Sequence, residues 1–261
     1  MHKTLILSDI HFCRWSTTVK SIEQLQPLWR CCNELVLNGD TTEMHSISHA
    51  KSSNEMTTSL IEAAKNDDVQ TTLICGNHDP AISDIQHMWF WDKKILVFHG
   101  HAVFKGVAPW SWRGKYIARC RDEQMRNSDM GINEQLAAVQ IASTKAATGE
   151  FSNHRPNPIH MAMLGLPAIF HIFASWLQFP TLVGYWADQF APNAKYIITG
   201  HTHHAGTWHR DGRTVINTGC FGFPSHPRAV LIDEASIAIY KIVKQSNRFS
   251  LGPVIQSWDA L

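Results

Sequence analysis

Five short apolar runs along the chain each end in a cluster of metal-ligating residue types. Leu5-Ile6-Leu7 leads into Ser8-Asp9-Ile10-His11, and Leu35-Val36-Leu37 leads into Asn38-Gly39-Asp40. Thr72-Leu73-Ile74 leads into Cys75-Gly76-Asn77-His78-Asp79. Ile95-Leu96-Val97-Phe98 leads into His99-Gly100-His101, and Tyr196-Ile197-Ile198 leads, after Thr199, into Gly200-His201-Thr202-His203. Short β-branched runs bounded by glycine and polar residues read as buried strands. Open α/β sheets bind ligands outside the carboxyl ends of their strands. Five strand ends therefore deliver Asp9, His11, Asp40, Asn77, His99, His201 and His203 to one edge. Carboxylate, amide and imidazole donors in that number exceed what one ion needs and suit two divalent cations.

Because these candidate ligands run from Asp9 to His203, one catalytic domain must span that range. The expected division is a catalytic domain of residues 1–112 and 192–261, with residues 113–191 as an inserted helical cap. Apolar residues make up 44% of the 261, enough for a full-sized core. A formal net charge of +1 lacks the basic excess of a nucleic-acid surface, so no nucleic-acid partner is expected. The six cysteines form no CxxC pair and read as reduced, mostly buried thiols. The first strand begins almost at Met1, with no room for a signal peptide ahead of Asp9, so a cytoplasmic location is expected.

The first half alternates strand and helix. Ile22, Leu25, Leu28, Trp29 and Cys32 recur at helical spacing, as do Met56, Leu60, Ala63 and Ala64. Such alternation implies parallel strands joined by helical crossovers. After His203 the texture becomes that of short strands: Thr214–Ile216, Ala229–Ile232 and Ile237–Tyr240, with a hairpin turn at Asp211-Gly212. Two packed mixed sheets with helices outside satisfy both halves.

The segment from about Arg113 to Ala191 breaks the alternation. Ile132, Leu136, Val139 and Ala146 share a helical face, with Gly149 as its stop. Pro156 to Ala187 then contains no Asp, Glu, Lys or Arg. Its length would suffice for a membrane span. A single crossing, however, would put His99 and His201 on opposite sides of the bilayer. The stretch therefore reads as helices beside the active site. Either its apolar face is ordinary core, or it is an exposed groove for a lipid or a membrane surface.

Phosphate esters resist hydrolysis because their anionic oxygens repel a nucleophile. Two cations about 3.5–4 Å apart neutralise those oxygens and turn a bridging water into hydroxide. A shared carboxylate must hold the ions that close, and Asp40 is the natural bridge. Asp9 with His11, and His201 with His203, are expected to share a side through the two-residue period of a strand. His78 is placed to protonate the leaving oxygen, and Asp79 to orient it. Arg14, Arg113, Arg119 and Arg155 are candidates to clamp a phosphate in bidentate geometry. His101 and His204 lie beside ligands, while His45 and the remaining histidines carry their ordinary surface or core reading.

With all five motifs in order, the sequence resembles the calcineurin-like metallophosphoesterase superfamily from Leu5 to about Tyr240, apart from the inserted cap. That resemblance implies a four-layered α/β/β/α sandwich with a dinuclear centre, manganese first among the candidate metals, with iron, zinc, cobalt and nickel as alternatives. It implies one metal held by Asp9, His11, Asp40 and His203 and a second by Asp40, Asn77, His99 and His201, with His78 catalytic. Asn217-Thr218-Gly219-Cys220 looks like the loop that follows the last metal motif. The size, the early first strand and the helical insertion look like the UDP-2,3-diacylglucosamine pyrophosphatases. His78, however, is the general superfamily form at a position where that branch resembles Gly-Asn-Arg-Asp. The expected activity is therefore a two-metal hydrolysis of a phosphodiester or diphosphate bond, with a nucleotide–lipid as leading substrate. The layout also suggests peripheral contact with the inner membrane face. The alternatives are a broad phosphodiesterase, or nucleotide or phosphoprotein phosphatase, with the cap as lid, and a non-catalytic metal-binding scaffold.

Overall fold

The parallel strands expected from the first half are β1 (Thr4–Leu7), β2 (Glu34–Asn38) and β3 (Gln70–Ile74) in a computed structural model of the chain. The structure describes residues 1–46, 48–109, 114–125, 130–147, 158–223 and 226–259, and only the backbone at 146–147 and 158–168. Leu5 pairs with Leu35, and Leu35 with Thr71, in parallel register. The crossover from β1 is shorter than its apolar spacing predicts. A 3₁₀ turn at Ile22–Gln24 is followed by a single turn, α1 (Gln26–Trp29). Pro27 has no N–H to bond back to Glu23, so its ring interrupts a continuous helix. The second crossover, α2 (Ala50–Asn66), buries Leu60 and Ala64 as expected.

The second sheet uses β4 (His87–Phe90), β5 (Ile95–Phe98), β6 (Tyr196–Thr199), β7 (Gly206–Arg210) and β8 (Arg213–Asn217). The chain then returns to the first sheet through β9 (Arg228–Ile232), β10 (Ser236–Gln245) and β11 (Arg248–Asp259). The sheet orders are β11-β10-β9-β1-β2-β3 and β4-β5-β6-β8-β7. Asp211 and Gly212 take φ of 49° and 77° between paired Arg210 and Arg213, a two-residue hairpin turn of the primed kind. The sequence pattern gave no sign of β4 or β11. Gly252 and Pro253 argue against a strand in the latter, but an edge strand tolerates proline.

The alternation within each short run decides which layer a residue joins. Ile6, Val36, Val97, Ile198 and Ile216 meet between the sheets. Leu5, Leu7, Leu35 and Leu37 face the other way, beneath Leu28, Trp29 and Leu60. The outer face of the second sheet presents Leu96, Phe98, Ile197 and Val215. It is covered by α3 (Gly114–Gln124), α4 (Ile132–Ala147) and α5 (Pro158–Phe190). The result is the expected α/β/β/α sandwich, and helices of the 113–191 segment form its fourth layer. Gly149, expected to stop α4, lies outside the described residues.

The described part of the uncharged stretch, from Pro158 on, is a single helix, α5, not several. Its C-terminal half sits in the core through Phe179, Val183, Trp186 and Ala187, and Trp186 stacks on Phe98 at 4.6 Å between centroids. Nearer its start it leaves Phe170 70%, Phe173 54% and Leu177 81% exposed. Among the described residues, no helix is long and apolar enough to cross a membrane.

Candidate metal centre

The strands stop before the ligands begin. β1 ends at Leu7 and β6 at Thr199, so the two-residue strand period does not orient Asp9 with His11 or His201 with His203. Left-handed backbone does it instead. Asp9, His11, Asp40, His201 and His203 have φ of 52°, 51°, 52°, 69° and 59°. Each costs an L-residue about 1–2 kcal/mol and persists only where its surroundings over-determine it. Here the neighbouring turns supply that constraint. The N–H of Asp9 bonds the Gly39 carbonyl at 3.1 Å, and that of His11 the Asp40 carbonyl at 2.9 Å. The His201 N–H donates to both carboxylate oxygens of Asp9 at 3.1 Å, and Ser8 donates its hydroxyl to the same carboxylate. Gly39 itself has φ 80°, and a Cβ there would overlap the His99 ring.

Three overlapping groups gather their potential ligand atoms within 4.8 Å: Asp9, His11 and His203; Asp40, His99 and His201; and His11, Asp40 and His78. Asp40 and His11 link them, with His11 Nε2 3.8 Å and His99 Nε2 3.2 Å from the same Asp40 oxygen. The outer nitrogens of the rings are fixed elsewhere. His99 Nδ1 lies 2.9 Å from the Asn38 carbonyl, His11 Nδ1 2.7 Å from Glu43, and His201 Nε2 2.8 Å from the Val107 carbonyl. A ring nitrogen that donates to such an oxygen leaves the opposite nitrogen as the lone-pair atom, the arrangement metal-ligating histidines use. Asn77 adds a buried amide oxygen with no hydrogen-bond partner among the described residues. These donors fit divalent cations.

Burial raises the cost of every charge here, and the mutual pairing of groups reverses it selectively. Against burial, His99 and His78 hold the Asp40 carboxyl well below its ordinary range. Against burial, Asp40 lifts His99 to about 9, and the Asp9 hydrogen bond lifts His203 to about 10. His201 is pushed down to about 3 by burial and by His99, and His11 to about 4 by burial despite Glu43.

His78 is oriented by Glu43, not by Asp79. Glu43 Oε2 lies 3.1 Å from His78 Nδ1, while Oε1 reaches His11 Nδ1 at 2.7 Å and Arg14 Nη1 at 3.4 Å. Asp79 accepts backbone N–H groups of Asp40, Thr41, Thr42 and Gly76 at 2.6–3.2 Å, pinning the Gly39-Asp40 turn. Its carboxylate oxygens are occupied by those donors. Glu43 is nearly fully buried, and His78 and His11 hold its carboxyl low against burial. Glu43 and Asp40 in turn raise His78, also against burial. The sequence signal for Glu43 was its place three residues after Asp40, in the same turn.

A cleft of about 700 Å³ opens beside the centre, lined by Arg14, Ile169, Ile172, Phe173, Trp176, His201, Thr202, His203 and Phe223. Arg14 therefore stands at the site. Arg119 is not among the residues lining that cleft: α3 buries Ile117, Cys120 and Arg121, and Arg119 lies on the opposite, exposed side of that helix. Arg121 spends its guanidinium on the Phe104 carbonyl at 3.1 Å. Arg113 and Arg155 lie outside the described residues. His101 is buried 5.4 Å from the His99 ring and His204 stacks on Trp176. His45, read as an ordinary histidine, sits near His78, and burial together with His78 lowers its basicity. Exposed Phe223 and Trp15, the latter next to Arg14, were not singled out by any pattern. All six cysteines are free, and burial pushes Cys32 and Cys75 up to about 12.

Two stacked mixed sheets with Asp and His donors clustered at their strand ends define the metallophosphoesterase class. The family model for calcineurin-like phosphoesterases matches residues 2–205, and the chain belongs to that family. No curated protein matches it. Among solved structures, it is similar to a dimetal phosphatase from Danio rerio (9% identity, TM-score 0.50, covering 99% of this chain and 98% of that one). It is likewise similar to Vps29 of Chaetomium thermophilum (9%, 0.50, 100% and 96%). A third similar structure is YfcE, a phosphoesterase from E. coli (12%, 0.43, 99% and 100%). At these identities the likeness concerns the fold.

Proposed function

We propose that the chain hydrolyses a phosphodiester or diphosphate bond using two divalent ions, Mn²⁺ in the first instance. Asp9, His11, Asp40 and His203 would hold one, and Asp40, Asn77, His99 and His201 the other. The observation that carries this reading is the pair of ligand groups Asp9–His11–His203 and Asp40–His99–His201, gathered where strand ends of the two sheets meet. Bound ions supply neutralisation of the phosphoryl oxygens and activation of a water. The chain's own groups do the rest. His78, raised by Glu43 and Asp40 against burial, would give a proton to the leaving oxygen. Glu43 fixes the ring's orientation, and Arg14 faces the substrate phosphate from the cleft wall.

The substrate class is an amphiphilic diphosphate, a nucleotide–lipid of the UDP-2,3-diacylglucosamine kind. The apolar cleft running from Ile169 to His203 supports this reading, as does the layout of the chain. Each acyl methylene buried there adds about 0.8 kcal/mol to binding. Exposed Phe170 beside the cleft suits peripheral contact with the cytoplasmic membrane face. The test is a panel of acylated and deacylated nucleotide diphosphates and plain nucleotides, assayed with the Mn²⁺-loaded protein. Preference for the acylated members supports the reading, and equal rates remove the lipid.

A further inference from the structure

Trp176 belongs to two structures at once. Ile169, Ile172, Phe173 and Trp176 recur at helical spacing along α5 and form the apolar wall of the cleft. The same indole donates its Nε1–H to the Thr202 carbonyl at 2.8 Å. Its ring stacks on His204, 4.7 Å between centroids and 21° between planes, and His204 meets Trp208 on a tilted contact at 5.8 Å. Thr202 is the residue between His201 and His203. Both of those carry left-handed backbone, so their loop needs restraint from outside. Asn217 Nδ2 supplies part of it, reaching Thr202 Oγ1 at 3.0 Å and the Gly200 carbonyl at 2.6 Å. The indole adds a restraint from the cleft side. The β6–β7 loop is thus clamped between the Asn217 amide at the end of neighbouring β8 and the Trp176 indole of α5.

We propose that Trp176 is a positioning residue that couples the apolar cleft to the metal loop. It fixes the Thr202 carbonyl, and through it the imidazoles of His201 and His203, one for each ion. A substrate tail packed along α5 presses on the same ring and holds the clamp shut. The inference rests on His201 and His203 being metal ligands, as proposed above.

The experiment is calorimetric titration of the metal-stripped full-length protein with Mn²⁺, independent of turnover. Trp176→Phe keeps a stacking ring and loses the N–H. It is expected to weaken Mn²⁺ binding about ten-fold, the scale at which loss of a partner that orients a ligand is felt. Trp176→His places Nε2 where the indole nitrogen stood, and is expected to retain most of the affinity. Leu177→Ala, the exposed neighbour, controls for perturbation of the helix and keeps wild-type affinity. Wild-type affinity in Trp176→Phe would overturn the coupling while leaving the metal centre standing. If Trp176→Phe fails to fold, Trp176→His with ten-fold weaker binding would overturn it equally. A wild-type protein that binds no Mn²⁺ would overturn the coupling and the metal centre together.

Discussion

The cleft has two walls built on opposite physical terms. On one side, strand ends gather buried carboxylates and imidazoles, each held by a named hydrogen bond and several by left-handed backbone. On the other, α5 offers Ile169, Ile172, Phe173 and Trp176, with no Asp, Glu, Lys or Arg on that stretch of helix. The first wall gives up solvation and relaxed geometry to fix a few atoms in space. The second offers area without direction. A site of this shape performs chemistry at one wall and selects substrates at the other, and the two functions should separate on mutation.

The largest expected effect is on the ligand wall. Asp40→Asn removes charge from the residue that links both ligand groups, so Mn²⁺ content should fall at both sites together. Hydrolysis of any substrate should drop by on the order of 10³-fold or more. Elemental analysis showing one full site left would break the bridging role. His78→Asn should lower kcat by about 10²-fold with metal content intact. Near wild-type turnover would remove that ring from the mechanism. Glu43→Gln should lie between that loss and wild type, about 10-fold, because it loosens His78 and His11 without deleting either.

Proton displacement sharpens the comparison, because two histidines of the ligand wall are raised well above their ordinary value. In the metal-free chain His99 and His203 hold protons up to about 9 and about 10. Both values are raised, so these protonated rings stabilise the metal-free fold fully below about 6.5. That contribution is lost as pH rises through 9 to 10. A cation must displace the same protons, so Mn²⁺ affinity should increase at least about 10-fold between pH 6.5 and 8.5. A flat profile would mean those nitrogens are not ligands.

The smallest effect belongs to the apolar wall. Phe173→Asp should reduce kcat/KM for an acylated nucleotide diphosphate by roughly 10-fold and for a small chromogenic diester by about 2-fold at most. Equal losses would mean that Phe173 does not select the acyl chain, and would erase the division of labour.

The two walls also differ in how far the sequence disclosed them. Asp, His and Asn after a short apolar run are rare enough in combination that the strand-end cluster could be read directly, as could the sandwich. The manner of convergence could not, because left-handed φ at Asp9 or His201 leaves no trace in residue type. Glu43 was hidden for a related reason: its partners His11 and His78 lie 32 and 35 residues away in sequence. In α5 the same apolar residue types serve Val183 in the core and Phe173 on the cleft. Helical spacing marks the stripe but not where the sheet beneath it ends. The side of α3 that Arg119 occupies is set by the burial of Ile117 and Cys120, not by its charge.

The most direct measurement is hydrolysis of a chromogenic phosphodiester by metal-stripped protein before and after loading with Mn²⁺, with Asp40→Asn alongside. The account predicts no turnover in the stripped protein, turnover restored in step with the metal bound, and none in Asp40→Asn. Protein carrying two Mn²⁺ per chain that still fails to hydrolyse the diester or any member of the nucleotide diphosphate panel would contradict it.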